Sequence, residues 1–177
     1  MYSMIKPYLM LTPLLLLLAF CAGPAPAQDK AHFNEQHICM KEAIYFEAGN
    51  QPVVGKFAIA YVILNRVSHK QYPNTICSVV HQGPISKWHK KELGKIVPIK
   101  NKCQFSYWCD GKSESFVEQS TSYRESVAVA EIIVGGGYKL IFDPTEGATH
   151  YHATYVTPSW SKHMKKTVLI EDHIFYK

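Results

Sequence analysis

Between Val53 and Ser68 apolar residues occupy nearly every helical angle: Val53, Val54, Phe57, Ala58, Ile59, Ala60, Val62, Ile63, Leu64 and Val67. A helix that is apolar all round is buried, so this segment is expected to be the central core helix, with Asn65 and Arg66 as its polar end. A break, Gly49-Asn50-Gln51-Pro52, precedes it, and glycine and proline end and restart helices. Upstream of the break, Met40, Ala43 and Ile44 lie seven, four and three residues before Glu47. They therefore share its helical face. A first helix is predicted to start near Asn34 or Glu35 and to carry Glu47 in its last turn. Tyr72-Pro73-Asn74-Thr75 reads as a turn opening a short helix through Gln82. Residues 83–102 are rich in lysine and irregular, which predicts a loop. Thr121 to Val134 has Val127, Ala130, Ile133 and Val134 on one side and stops at Gly135-Gly136-Gly137, so it predicts another helix. Tyr138 to Phe142 reads as a short extended piece. Thr149 to Val156 alternates, with His150, His152 and Thr154 facing one way. Val168 to Tyr176 is extended and interrupted at Glu171-Asp172, a hairpin turn. The pattern predicts an α+β fold, a helical body with a small antiparallel sheet at the C-terminal end.

The 177 residues suit one domain plus a targeting segment, and 47% hydrophobic content is enough for a core. Residues 1–27 read as a signal peptide: Lys6, an apolar run from Leu14 to Phe20, then Ala25-Pro26-Ala27 as a small-x-small cleavage site. Residues 28–35 form a polar lead-in and 36–177 the domain. The apolar run falls short of the ~20 residues of a membrane span, so no stable membrane insertion is expected after cleavage. Acylation at Cys21 is the alternative, disfavoured by Phe20 where processing prefers a small residue. Export to the periplasm or cell wall follows. Removing residues 1–27 takes away one charge, Lys6, leaving +4 of the whole chain's +5. A mildly basic protein is drawn to anionic polymers such as the bacterial wall. No lysine and arginine cluster interleaved with aromatics points to nucleic acid, and a monomer is expected. Four cysteines remain after cleavage, Cys39, Cys77, Cys103 and Cys109. An even number in an exported chain reads as disulfides. Three pairings are possible; Cys103–Cys109 closing a short loop with Cys39–Cys77 tying the first helix to a later segment is favoured. A zinc site is the alternative, although the spacing lacks paired C-x-x-C knuckles.

Among the chemically active residues Glu47 stands first. A carboxylate among apolar neighbours has a raised pKa and stays protonated near neutral pH, ready to donate a proton. The helix dipole does not favour a carboxylate at a C-terminal end, which calls for another reason for it to be there. Glu42 sits about 140° round the helix, at ~100° per residue, and cannot face it. A solvated helix-end carboxylate is the other reading of this pattern. Cys103 to Gly111 carries Phe105, Tyr107 and Trp108 between Gln104, Ser106 and Asp110. Aromatic faces stack on sugars while amides and hydroxyls bond their hydroxyl groups; a disulfide-braced core loop fits the composition equally. His150 and His152 on one strand face invite a metal reading, with His163, His173 or Asp143 as a third ligand. No spacing compels it, and polar groove residues are preferred, with no metal or cofactor.

The stretch EAIYFEAGNQPVVGKFAIAYVILNRV resembles the signature of the SleB/CwlJ cell wall hydrolases, the family of spore-cortex-lytic catalytic domains. YPNTICSVVHQ, CQFSYWCDG, GATHYHATYVTPSW and the terminal IEDHIFYK are similar to its further blocks in order, so the resemblance covers about residues 36 to 177. It implies a lysozyme-like domain that cleaves the glycan strands of peptidoglycan, with Glu47 matching the catalytic glutamate. It implies that the Cys103 to Gly111 loop, through Gln104, Phe105 and Trp108, walls the substrate groove, and that His150, Tyr151, His152 and Trp160 contact substrate. It also implies that the Leu-Asn-Arg-Val end of the second helix is a fixed structural feature, bonding the loop after Glu47. The family continues its glutamate with Ala-Arg-Gly-Glu-Pro; this chain has Ala48-Gly49-Asn50-Gln51-Pro52. The expected reaction is cleavage of the β-1,4 bond between N-acetylmuramic acid and N-acetylglucosamine, by a lytic transglycosylase with one glutamate. A zinc-dependent peptidoglycan amidase built on the histidines, and a non-catalytic wall-binding protein, are the alternatives.

Overall fold

The computed structural model describes residues 25–177. Most of the expected signal segment, with Cys21, lies outside the described residues. Helix α1 spans Ala25–Ala48, α2 Val53–Val67, α3 Ile76–Val80, α4 Lys87–Leu93 and α5 Thr121–Val134. Strands β1 (His150–Ala153), β2 (Lys166–Ile170) and β3 (His173–Tyr176) follow, with 3-10 turns at Ser106–Cys109, Gly137–Leu140 and Ser159–His163. The α+β class is as the sequence predicts.

Helix α2 packs against α1, α3, α5 and β2. Ala58 to Ala60, Val62 and Ile63 are fully buried, as are Met40, Ala43 and Ile44 of α1. Ala130 and Ile133 of α5 and Phe175 of β3 complete the core. Val53 and Val54, expected in the core, are exposed at the start of α2, whose first turn directs Gly55 and Lys56 inward instead. On α5 the buried position is Val129 rather than Val127.

The sheet has strand order β1-β3-β2 and is antiparallel throughout. His152 pairs with Ile174, and Ile170 with His173 across the two-residue turn Glu171-Asp172. Glu171 takes φ 48° there, a left-handed turn conformation. Disulfides join Cys39 to Cys77 and Cys103 to Cys109, the pairing favoured from sequence. The first ties α1 to α3.

Three local expectations need correction. The segment 28–35 is not an irregular lead-in but part of α1, which begins at Ala25 rather than Asn34. Local contacts support the helix there, among them His32 Nδ1 at 4.0 Å from Glu35 Oε2 and Phe33 stacked on His37. Residues 83–102 contain α4, capped by Ser86 accepting from His89 N–H and closed by Gly94 at φ 61°. The expected extended piece from Tyr138 to Phe142 is instead a 3-10 turn over Gly137–Leu140, with only Ile141 extended behind it. The buried Tyr61 hydroxyl gathers it, lying 2.9 Å from Tyr138 O and 2.6 Å from Ile141 O.

Candidate active site

Glu47 sits in the last turn of α1, on the face whose other members are fully buried. It borders a cleft of about 510 Å³ formed by the end of α1, the loop at Asn50-Gln51, Arg66, Gln104 and Ser106, strand β1, the segment from Tyr155 to Trp160, and the hairpin turn. The Tyr151 hydroxyl, reaching over from β1, donates to Glu47 Oε2 at 2.9 Å. Burial is the largest influence on the Glu47 carboxyl and pushes it above the usual glutamate value. The Tyr151 bond, a backbone N–H from Ser106 and the charge of Arg66 pull the other way without cancelling it. Burial and then the neighbouring carboxylate push the Tyr151 hydroxyl well above the usual tyrosine range, so it remains a proton donor in the hydrogen bond. Glu47 is therefore a carboxyl group held in one orientation and open to the cleft, with burial favouring its protonated form.

The loop that follows Glu47 is anchored from beneath. Lys56, 1% exposed in the first turn of α2, donates from Nζ to Gly49 O and Gln51 O, and pairs with Glu125 of α5 at 3.2 Å. Gln51 crosses to the hairpin turn: its Nε2 donates to Asp172 Oδ2 at 3.0 Å, and Asp172 N–H returns to Gln51 Oε1 at 3.4 Å. Asn65 and Arg66 do not bond this loop, contrary to what the resemblance implied. Asn65 Nδ2 donates to Asp143 Oδ2 at 3.0 Å and Ala148 O at 2.9 Å, and Arg66 Nε donates to Thr149 O at 2.7 Å. They fix the approach to β1, and through it Tyr151.

Of the residues expected at the substrate groove, Gln104, His150, Tyr151, His152 and Trp160 line the cleft with Glu47. Phe105 and Trp108 do not. Phe105 is fully buried. Trp108 stacks on His81 with ring centroids 3.6 Å apart and packs against the core. For Phe105 the physical reason is alternation, since Gln104 and Ser106 face outward while Phe105 and Tyr107 face inward; Trp108 is half-buried and turned from the cleft by its stack on His81. His152 is buried, with Nδ1 2.9 Å from Ala153 O and Nε2 2.9 Å from Tyr176 Oη. The carbonyl fixes the proton on Nδ1, so Nε2 accepts from Tyr176, and neither nitrogen is left for a metal. Asp143 is likewise spent on Asn65, Thr145 and Gly147. Among the described residues no group of three His, Cys, Asp or Glu side chains could hold a metal ion. His150 is lowered by burial first and by Arg66 second, and its ring packs 5.4 Å from Trp160.

Sequence reasoning missed Lys56, Gln51, Asp172 and the part played by Arg66. A lone lysine in an otherwise apolar helix was the available signal for the first. Nothing local marks Gln51 and Asp172, which meet across 121 positions.

A sequence profile described as Cell Wall Hydrolase matches residues 50–176; Glu47 lies just ahead of the matched stretch. Two curated spore cortex-lytic enzymes of Bacillus cereus are 42% identical over 43 residues, 24% of this chain and 17% of theirs. The matched stretch thus spans under a fifth of those relatives. Among solved structures, the catalytic domain of Bacillus cereus SleB is 25% identical, with a TM-score of 0.49 over 81% of this chain and 91% of that one. The catalytic domain of the germination-specific lytic transglycosylase SleB from Bacillus anthracis is 23% identical, with a TM-score of 0.51 over 80% and 93%. The last of these likenesses shows a common fold.

Proposed function

Because the chain belongs to the cell wall hydrolase family, we propose that it cuts the glycan strands of peptidoglycan at the β-1,4 bond between N-acetylmuramic acid and N-acetylglucosamine, with Glu47 as the acid. The observation that carries this reading is the buried Glu47 carboxyl, held by Tyr151 at 2.9 Å on the edge of an open cleft. Glu47 begins protonated and gives its proton to the glycosidic oxygen as the C1–O bond breaks. Its new negative charge is met by the Tyr151 O–H, the Ser106 N–H and Arg66. In the transglycosylase outcome, the muramic 6-hydroxyl bonds to C1 and its proton returns to Glu47, leaving a 1,6-anhydro ring and no net consumption of water. One carboxyl group that gives and then takes a proton suffices for this. The second carboxylate on the cleft, Asp172, is engaged by Gln51. A two-carboxylate hydrolysis would need it to activate water instead. Gln104, His150 and Trp160 are the residues for holding sugar rings and their substituents. Residues 1–27 serve in this reading as an export signal, and the enzyme works outside the cytoplasmic membrane as a monomer.

The test is mass spectrometry of the soluble products from purified sacculi, with Glu47→Gln beside the wild type. Anhydro-muropeptides that vanish in the variant support the proposal. Reducing-end muropeptides keep Glu47 but make the reaction hydrolysis. Free peptides whose release is stopped by chelators would move the chemistry to an amidase, and binding without products would leave a wall-binding protein.

A further inference from the structure

Arg66 lies near the end of α2 and is 4% exposed. Its guanidinium carbon is 5.4 Å from the Tyr72 ring and 5.6 Å from the Phe105 ring, and Nε is bonded to Thr149 O at 2.7 Å. These contacts fix the plane of the group and engage one of its five N–H donors. Nη1 is buried and has no hydrogen-bond partner among the described residues. The other buried cation, Lys56, is paired with Glu125. Arg66 has no carboxylate within ion-pair distance among the described residues, although an unpaired buried charge is costly. It nevertheless borders the same cleft as Glu47.

We propose that Arg66 is a positioning residue that acts through Glu47, as the fixed countercharge for the carboxylate that exists between release and recapture of the proton. The proposal rests on the reading of Glu47 as the acid. While Glu47 holds its proton, it needs no cation beside it. Once the proton has gone, an anion stands where burial is the largest influence against charge. The groups facing it are the Tyr151 hydroxyl from β1, the Ser106 N–H and Tyr107 from the 3-10 turn, and Arg66 from α2. The two tyrosines stay neutral, burial pushing both hydroxyls up. Arg66 is the one permanent charge among these groups. Held between two rings and by a backbone carbonyl, it cannot swing away, so its field is in place before the charge forms.

The experiment compares full-chain wild type, Arg66→Lys and Arg66→Gln in two ways. The first is the pH profile of muropeptide release from sacculi. The second is a carbon-13 titration of the Glu47 carboxyl, which needs no turnover. A positive charge beside Glu47 favours its ionised form, so losing that charge in Arg66→Gln should move the Glu47 titration, and the basic limb of the rate profile, to higher pH. Turnover should fall about 10- to 100-fold, the loss of one charge-assisted interaction. Arg66→Lys, which keeps the charge, should restore most of both. An unmoved Glu47 titration in a folded Arg66→Gln, or in Arg66→Ala where Arg66→Gln fails to fold, would overturn the proposal, as would equal damage from Arg66→Gln and Arg66→Lys. If wild type yields no products while the titration still moves, the assignment of Glu47 as acid fails and its electrostatic coupling to Arg66 stands.

Discussion

Replacing Glu47 by Gln should remove turnover and at the same time stabilise the protein at neutral pH. Gln keeps the shape of the side chain and an oxygen that accepts from Tyr151, so the packing of α1 is preserved. What changes is the proton. In the unfolded chain the glutamate ionises near its ordinary value of 4.5, whereas in the folded protein burial raises it. Below about pH 4.5 both states hold the proton and the substitution has little effect. Above it the unfolded chain releases the proton while the folded protein retains it. The folded state then binds more protons, and wild-type stability falls as pH rises through the raised value. Each pH unit between the two values costs wild type at most about 1.4 kcal/mol. The cleft leaves Glu47 partly exposed, and solvent screening reduces that ceiling. Urea unfolding of both proteins between pH 4 and 8 reads the difference, which should start near zero and grow in favour of Glu47→Gln. Loss of a general acid should slow muropeptide release about 10²- to 10⁴-fold. A difference that is flat with pH, or wild type gaining on the variant as pH rises, would refute the raised carboxyl and with it the acid role.

Five further variants follow from the same structure. Tyr151→Phe deletes the donor to Glu47, a bond to a charged group worth about 1.5 to 3 kcal/mol; turnover should fall and the basic limb of the rate profile move to higher pH. Lys56→Met leaves the Gly49 and Gln51 carbonyls without a donor at about 1 to 3 kcal/mol each. It should lower the urea midpoint and loosen the loop beside Glu47, with activity lost at denaturant concentrations where wild type still works. Opening Cys39–Cys77 as a double alanine variant frees a loop with a sequence separation of 38, worth about 4 kcal/mol by chain entropy. Opening Cys103–Cys109, with a separation of 6, should cost about 2 kcal/mol, so thermal melts should rank the first variant below the second. Gln51→Glu sets a carboxylate against Asp172 and should lower the melting temperature at pH 7, with recovery toward pH 4 as the pair takes up a proton.

Periodicity alone placed α2, α5 and the hairpin at Glu171-Asp172, because each has a pattern that only one packing satisfies. It placed Glu47 on a buried face for the same reason: residues three, four and seven positions earlier share that face whatever the rest of the chain does. What it could not supply was the direction of side chains in irregular segments. Phe105 and Trp108 look like sugar platforms by type, yet Phe105 turns into the core and Trp108 stacks on His81, leaving Gln104 and Ser106 at the cleft. Tyr151, His150 and Trp160 came from resemblance, since the alternation from Thr149 to Val156 separates two faces without telling which side chains border the cleft. Gln51 and Asp172 were invisible because their partnership is tertiary.

The run Gly49-Asn50-Gln51 reads, against the pattern Ala-Arg-Gly-Glu-Pro, as the loss of a cation and a carboxylate beside Glu47. In the fold these residues form a consistent set. A Cβ at position 49 would run into the Tyr45 carbonyl oxygen and come within 3.0 Å of Ser122 Oγ, so an arginine is incompatible with the way α1 ends against α5. A cation still reaches this loop, from Lys56 on the next helix, where it binds the two backbone carbonyls directly. A carboxylate still borders the cleft, as Asp172 on the hairpin turn, and the amide at position 51 is what lets the loop bond to it. A glutamate there would have no proton to offer at neutral pH. Each departure is thus matched by a contact that holds the loop by other means, and Glu47 keeps its hydrogen bond to Tyr151. The altered loop therefore gives no support to a purely binding role. An inactive wild type with an intact Glu47–Tyr151 pair would instead direct attention to the substrate-holding side of the cleft, at Gln104, His150 and Trp160.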